Sequence, residues 1–127
     1  MIPPRHPSGR RRTLAWLGSL VWAGFIFVQS SRSDTGSFFS LFPAGTDKVV
    51  HGGVFFVLSA LLALATGRPL LAALLATLYG ASDELHQLLV PGRQADLLDL
   101  LADGVGSALG ALSVAFAVRR GRPAPLQ

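Results

Sequence analysis

Long apolar runs alternate with short polar breaks along the chain. Four apolar runs can be marked, at residues 13–30, 47–66, 69–90 and 97–118. Each run has about 18 to 22 residues, and at about 1.5 Å of helical rise per residue each can cross the roughly 30 Å hydrocarbon core of a bilayer. The pattern therefore predicts an all-α fold, a four-helix transmembrane bundle.

Residues that favour turns separate the runs. Residues 67–69 read Gly-Arg-Pro, a tight break whose proline suits the first turn of the next helix. Residues 91–93 read Pro-Gly-Arg, and residues 31–46 are rich in Ser, Asp, Gly and Pro, which is typical of an exposed connection. We expect the Pro-, Arg- and Gly-rich segments 1–12 and 119–127 to be disordered tails around a membrane domain of residues 13–118.

The first apolar run also resembles a signal peptide, because three arginines at residues 10–12 precede it. However, no small-x-small cleavage motif follows it, and the run contains two tryptophans. We therefore expect it to be retained as the first membrane helix.

The composition supports a membrane protein. Charged residues make up 14% of the 127 residues, against about a quarter in a typical soluble domain. The chain has no cysteine, so disulfides and thiolate metal sites are excluded. Its arginines flank the apolar runs instead of forming a stripe, so we expect no nucleic-acid partner.

The basic residues predict an orientation. Most of them lie in the two tails and in the second loop: Arg5, Arg10, Arg11, Arg12, Arg68, Arg119, Arg120 and Arg122. With an even number of helices these segments share one side of the membrane, and the excess of basic residues assigns that side to the cytoplasm. We expect a multi-pass protein of the cell membrane with both termini cytoplasmic.

All acidic residues fall on the predicted outer half. They are Asp34, Asp47, Asp83, Glu84, Asp96, Asp99 and Asp103. Helical rise places His51, Asp83 and Asp103 roughly 6 to 12 Å below the outer surface. A charge facing lipid at mid-helix costs about 2.5 to 3.5 kcal/mol. We therefore expect these side chains to point into the bundle, where Gly106 and Gly110 have the spacing that lets helices approach closely.

The polar residues form two candidate sets. The first could perform general acid–base catalysis, and its members are His51, Asp83, Glu84 and Asp103. The second could bind a ligand, with Lys48 and Arg93 suited to a phosphate, and its members are Asp47, Lys48, Gln87, Arg93 and Asp99. A divalent cation is compatible with these carboxylates, but no ligand spacing is diagnostic, so the metal and the cofactor stay open. Asp47 and Asp96 also stand at helix starts, where a carboxylate can cap the helix.

Three segments resemble the VanZ-like membrane proteins. They read TDKVVHGGVFF, YGASDELHQLLVPGR and DLLDLLADGVGSALGAL, in that order, and Ser30-Ser31 at the end of the first run also fits. The family's characteristic polar residues map onto Asp47, Lys48, His51, Asp83, Glu84, Gln87, Arg93, Asp99 and Asp103. The sequence departs from the family in two places: Asp103 stands where asparagine is common, and Gly52 where an aromatic residue is common. The resemblance implies a link to resistance to the glycopeptide teicoplanin, with which the founding member of the family is associated.

Three functional hypotheses follow. The first is an outer-facing polar pocket that binds or modifies a lipid or a lipid-linked cell-envelope precursor, with membrane lipids as partners. The second is a non-enzymatic accessory or structural membrane subunit, and the third is a proton- or ion-coupled transporter. Whether the chain is an enzyme, and whether it forms an oligomer, stays open at this point.

Overall fold

The computed structural model describes residues 9–33, 41–43 and 45–122, which form four α-helices and no strand. The helices are α1 (Gly9–Ser30), α2 (Asp47–Thr66), α3 (Pro69–Gln87) and α4 (Leu97–Arg120). The prediction of an all-α, four-helix fold is confirmed for this part of the chain. Arg5, Asp34 and the tail residues 1–8 and 123–127 lie outside the described residues.

Two helices extend further than the apolar runs indicated, and one is shorter. α1 begins at Gly9, so residues 10–12 are helical and do not belong to a disordered segment. The Arg12 Nε donates to the Ala65 carbonyl oxygen at 3.1 Å, near the end of α2 where a positive charge meets the helix dipole favourably. α4 continues to Arg120, whereas α3 ends at Gln87, before the predicted end at Val90.

The helix ends follow from local sequence. α2 stops at Gly67, which has a left-handed φ of 67° and donates its backbone N–H to the Ala63 carbonyl oxygen. The Asp96 side chain accepts a hydrogen bond from the Leu98 N–H at 2.8 Å and so caps α4, as the sequence indicated. Asp47 instead lies in the first turn of α2, one residue after the N-cap, where its carboxylate still meets the helix dipole.

Length and composition identify three of the described helices, α1, α2 and α4, as able to cross a membrane. α3 carries Asp83, Glu84, His86 and Gln87 in its last turns, which lowers its average apolar character. Three of these side chains are buried inside the bundle. The outward face of α3 is nevertheless apolar, since its exposed large side chains include Leu70, Leu74, Leu78 and Leu85. The outer surface of the helices is thus mainly apolar, and the interior of the bundle is polar at one of its two ends.

α2 and α4 form the closest helix pair. Gly106 and Gly110 of α4 face the backbone of α2, and a Cβ at either position would overlap the carbonyl oxygen of Gly52 or of Phe56. The close approach expected from the small-residue spacing is therefore present. It brings the polar first turns of α2 and α4 side by side.

α1 lies on the outside of this pair and is held by polar side chains as well as by packing. The Trp22 indole N–H donates to the Val54 carbonyl oxygen at 2.9 Å, and the Tyr79 hydroxyl donates to the Ala23 carbonyl oxygen at 2.6 Å. Beside these contacts lies a small apolar core made of Ile26, Val54, Phe55, Leu58 and Ala76. Together they fix α1 against both α2 and α3.

Candidate functional site

Three helices each contribute one buried ionisable side chain to a common point near one end of the bundle. His51 comes from α2, Glu84 from α3 and Asp103 from α4, and we call these residues the triad. Their exposed fractions are 6%, 6% and 0%. One nitrogen of the imidazole and one oxygen of each carboxylate lie within 4.8 Å of one another.

Small residues make room for the triad. A Cβ at Gly80 of α3 would lie 3.1 Å from the Asp103 Cβ and Oδ2 atoms and 3.3 Å from the Phe55 ring. Only a residue without a side chain leaves that space to the Asp103 carboxylate. The contact between Gly106 and Gly52 acts in the same direction, because it brings α4 close enough for Asp103 to reach His51.

The triad has more hydrogen-bond acceptors than donors. Glu84 Oε2 accepts the Asp96 backbone N–H at 2.9 Å. Glu84 Oε1 and Asp103 Oδ2 are buried and receive no hydrogen bond from the residues that the structure describes. Buried polar atoms are nearly always paired in native proteins, so such atoms call for an explanation. With Asp103 Oδ1, which lies 3.4 Å from His51 Nδ1, three buried carboxylate oxygens lack a hydrogen bond within the described residues, and this favours a ligand that is positively charged or donates hydrogen bonds.

His51 lies between two carboxylates of α4. Its Nδ1 is 3.4 Å from Asp103 Oδ1, and its Nε2 is 3.8 Å from Asp99 Oδ2. The two aspartates are one helical turn apart on the same face of α4, so a single imidazole can reach both. This arrangement fixes the ring between the buried triad and the more exposed groups above it.

Lys48 lies above the triad, among three carboxylates. Its Nζ is 2.5 Å from Asp99 Oδ1, 2.6 Å from Asp96 Oδ2 and 3.2 Å from Asp47 Oδ2. The Lys48 ammonium and the Leu98 N–H lower the pKa of the Asp96 carboxyl, which stands before the first residue of α4. Because carboxylates surround Lys48, its charge is already balanced and is poorly placed to hold a phosphate unaided.

Asp83 belongs to a separate polar pair at the contact between α1 and α3. Its Oδ2 accepts the Ser30 hydroxyl at 2.7 Å and the Gln87 side-chain amide at 3.4 Å. Beside this pair, the Ser31 hydroxyl lies 2.9 Å from His86 Nε2, and the His86 ring stacks on Phe27. These contacts tie the ends of α1 and α3 together.

An apolar groove runs between α2 and α4 from the Lys48 end toward the middle of the bundle. It encloses about 520 Å³. Gly52, Gly53 and Gly106 form part of its floor, and leucine, valine and phenylalanine side chains form its walls: Val49, Phe56, Leu101, Val105 and Leu109. The groove thus has apolar walls along most of its length and one charged side chain, Lys48, at its end.

The predicted site residues therefore divide into distinct groups. The structure brings together His51, Glu84 and Asp103, and above them Asp47, Lys48 and Asp99. It places Asp83 against Ser30 and Gln87 against Asp83, outside the triad. Arg93 is half-buried in the turn after α3, where its backbone N–H donates to the Val90 carbonyl oxygen at 3.1 Å.

Two contributors to the site were not foreseen from the sequence. Gly80 makes space for Asp103, and Asp96 holds Lys48 in addition to capping α4. A glycine has no side chain that would indicate a role in a site. The one indication in the sequence was that Gly80 lies one helical turn before Glu84 on α3. The Lys48 contact joins residues that are distant in sequence, so no local pattern points to it.

Comparison with protein families gives a match to the four-helix part of the chain. The family model described as VanZ/LLP1 matches residues 13–118, which is nearly all of the four helices. The chain belongs to the VanZ/LLP1 family. The resemblance noted in the three polar segments is thereby confirmed. Comparisons with curated proteins and with solved structures give no match.

The geometry of the triad limits its chemistry. His51 is the member of the triad suited to general acid–base chemistry, which takes place over heavy-atom distances of about 2.6 to 3.2 Å, and its Nδ1 lies 3.4 Å from Asp103 Oδ1. His51, Glu84 and Asp103 are also the residues that could hold a metal ion. The site combines a proton carrier, unpaired acceptors and an adjoining apolar groove.

Proposed function

We propose that this VanZ/LLP1 protein binds an amphipathic molecule of the cell envelope, a lipid or a lipid-linked precursor. Its hydrocarbon chain lies in the groove between α2 and α4, and its polar group lies at the charged end beside Lys48 and the triad. The observation that carries this proposal is the apolar groove itself, which has Lys48 in its lining at the charged end. Ligand sites generally combine apolar walls with a few convergent polar groups.

The charges favour particular polar groups. Carboxylates outnumber basic side chains around Lys48 and the triad, and three buried carboxylate oxygens receive no hydrogen bond from the described residues. A polar group with hydroxyl or ammonium donors would complement the carboxylates that surround Lys48 at the end of the groove. An anionic group would be repelled unless a cation accompanied it. His51 is the residue that would move a proton if the bound group reacts.

Binding at one side is better supported than transport across the bundle. Inward from the triad, the buried polar side chains of the described helices α2 and α4 are only Ser59 and Ser107. Their neighbours in the bundle include Phe55, Leu58 and Ala111. A proton or ion path needs a continuous series of polar groups, and these helices offer two hydroxyls.

Native mass spectrometry in gentle detergent tests the proposal with a groove variant. A Cβ at Gly53 would meet no atom within 4 Å, so Gly53→Leu fills the groove without altering the triad. We expect wild type to retain a co-purified lipid and Gly53→Leu to lose most of it. Gly24→Leu on α1 is the matched control, since a Cβ there also meets nothing within 4 Å and the site is away from the groove.

Variants of the polar end complete the test. Glu84→Gln and His51→Ala, checked for helical content and monodispersity, should retain less lipid than wild type. Equal lipid retention by all variants would contradict the proposal and favour an accessory role in which the polar cluster only fixes helix packing. A cellular readout follows from the family: expression of wild type should lower susceptibility to teicoplanin, and both variants should lose that effect.

A further inference from the structure

The triad has the composition of a metal site. We propose that His51, Glu84 and Asp103 bind one divalent first-row transition-metal ion inside the bundle, with Zn²⁺ as the reference ion. The proposal goes beyond lipid binding and does not depend on it, because the triad is assembled by α2, α3 and α4 and its three residues are not part of the groove's lining.

The spacing of the donor atoms fits an ion. One donor atom from each residue lies within 4.8 Å of the other two. Nitrogen and carboxylate oxygen bind Zn²⁺ at about 2.0 to 2.2 Å in a tetrahedral arrangement, which places neighbouring donor atoms about 3.3 to 3.6 Å apart. His51 Nδ1 and Asp103 Oδ1 are already 3.4 Å apart. The most widely spaced pair of donors would have to close by at most about 1.5 Å, which rotation about side-chain bonds can supply.

Burial and charge point independently to a cation. Glu84 is 6% exposed and Asp103 is fully buried. Glu84 Oε1 and Asp103 Oδ2 receive no hydrogen bond from the described residues. Both atoms belong to triad side chains and could therefore bind an ion there. Two carboxylates in a water-poor interior repel one another, and a divalent ion would balance both charges while occupying the unpaired oxygens.

The donor set favours some metals over others. Mg²⁺ and Ca²⁺ take oxygen ligands, whereas an imidazole together with carboxylates suits Zn²⁺, Mn²⁺ or Fe²⁺. Three protein ligands leave at least one coordination position for water or for the polar group of a bound molecule. A metal at this position would also allow an anionic headgroup to bind close to the carboxylates.

Residues around the triad are placed like those that hydrogen-bond to the metal ligands in known metal sites. Asp99 Oδ2 is 3.8 Å from His51 Nε2, the ring nitrogen that does not face Asp103. Lys48 holds the other oxygen of Asp99 at 2.5 Å. A carboxylate behind a metal-bound histidine orients the ring and makes it a stronger ligand. Lys48 thus holds Asp99 in place, and Asp99 in turn orients the His51 ring toward the proposed metal position.

Zinc binding by the purified full chain tests the proposal. The protein is prepared with a tag that lacks histidine, stripped with a chelator in detergent, and titrated with Zn²⁺ by calorimetry, with elemental analysis after desalting. We expect one Zn²⁺ per wild-type chain. His51→Gln and Glu84→Gln should lose stoichiometric binding, and His86→Gln should keep it, since His86 lies on the contact between α1 and α3.

Two further measurements separate the metal site from general structural effects. Asp99→Asn should bind Zn²⁺ about 10- to 100-fold more weakly than wild type, as expected for loss of an outer ligand. Co²⁺ added to wild type should give visible absorption bands that are absent in Glu84→Gln. Wild type without bound Zn²⁺, or equal binding by His51→Gln and wild type, would overturn the proposal.

The groove variant distinguishes this proposal from lipid binding. Gly53→Leu should bind Zn²⁺ as wild type does, even where it has lost lipid. If wild type binds lipid but no metal, the metal proposal fails and the proposed function stands. If it binds metal and no lipid, the metal proposal stands and the proposed function fails.

Discussion

At the scale of single residues, hydroxyl groups decide which buried carboxylates are satisfied. The Ser30 hydroxyl donates to Asp83 at 2.7 Å, and both residues are buried. Asp103 lacks such a hydroxyl partner: Ser107, one helical turn inward on α4, is buried and its hydroxyl has no hydrogen-bond partner within the described residues. The two aspartates therefore differ in role, one joining α1 to α3 and the other available to a ligand.

Ser30→Ala is expected to destabilise the protein by about 1 to 3 kcal/mol, because it leaves a buried carboxylate oxygen with only the weak Gln87 contact. Thermal or denaturant unfolding in a fixed detergent measures the change. Ser113→Ala is the control: its hydroxyl is exposed and bonds within its own helix, so a change of no more than about 0.5 kcal/mol is expected. Equal stability of both variants would show that Ser30 does not support Asp83.

At the scale of helices, glycines on α4 decide how near α2 can come. Gly106 and Gly110 lie against α2 backbone, whereas Gly104 faces Thr77 of α3 with ordinary clearance. A glycine is therefore required at positions 106 and 110 of α4, whereas position 104 has room for a side chain. The approach of α2 and α4 in turn determines the distance from His51 to Asp103 and from Lys48 to Asp99.

Gly106→Ala should destabilise the protein by about 1 to 3 kcal/mol, because its methyl group would overlap the Gly52 carbonyl oxygen and force the helices apart. Gly104→Ala provides the matched comparison. Its Cβ would lie 3.8 Å from the Thr77 methyl group, so it should be neutral or stabilise the protein by up to about 1 kcal/mol through helix propensity. A more stable Gly106→Ala would contradict the packing described for this pair.

At the scale of the whole molecule, charge is distributed unevenly between the two ends. Basic residues cluster at the ends of α1 and α4, in Arg10, Arg11, Arg12, Arg119 and Arg120. The acidic residues of the described chain lie at the opposite end, around Lys48 and the triad. The positive-inside rule assigns the basic end to the cytoplasm, so we propose that the candidate site faces outward.

Cysteine labelling tests this orientation directly, because the chain contains no native cysteine. Gln94 lies exposed in the turn between α3 and α4, and Gly121 lies exposed at the end of α4. A membrane-impermeant maleimide should label Gln94→Cys on intact cells and Gly121→Cys only after permeabilisation. The reverse labelling pattern would place the polar cluster on the cytoplasmic side.

The sequence alone determined the helices and the polarity of the two ends. Apolar run length predicts a membrane helix because the bilayer thickness is fixed, and turn signals at Gly67, Pro69 and Asp96 are local chemistry. Both kinds of feature can be recognised without knowing which helices are in contact. The match to the family's three polar segments likewise depends only on residue order.

Tertiary structure alone decided which polar residues meet. Asp83 and Glu84 are adjacent and both were expected to point into the bundle, yet a step of about 100° turns one toward Ser30 on α1 and the other toward His51 and Asp103. That difference depends on which helix packs on each side of α3. The distance from Lys48 to its carboxylates depends in the same way on the glycine contact between α2 and α4, which brings distant parts of the chain within bonding range.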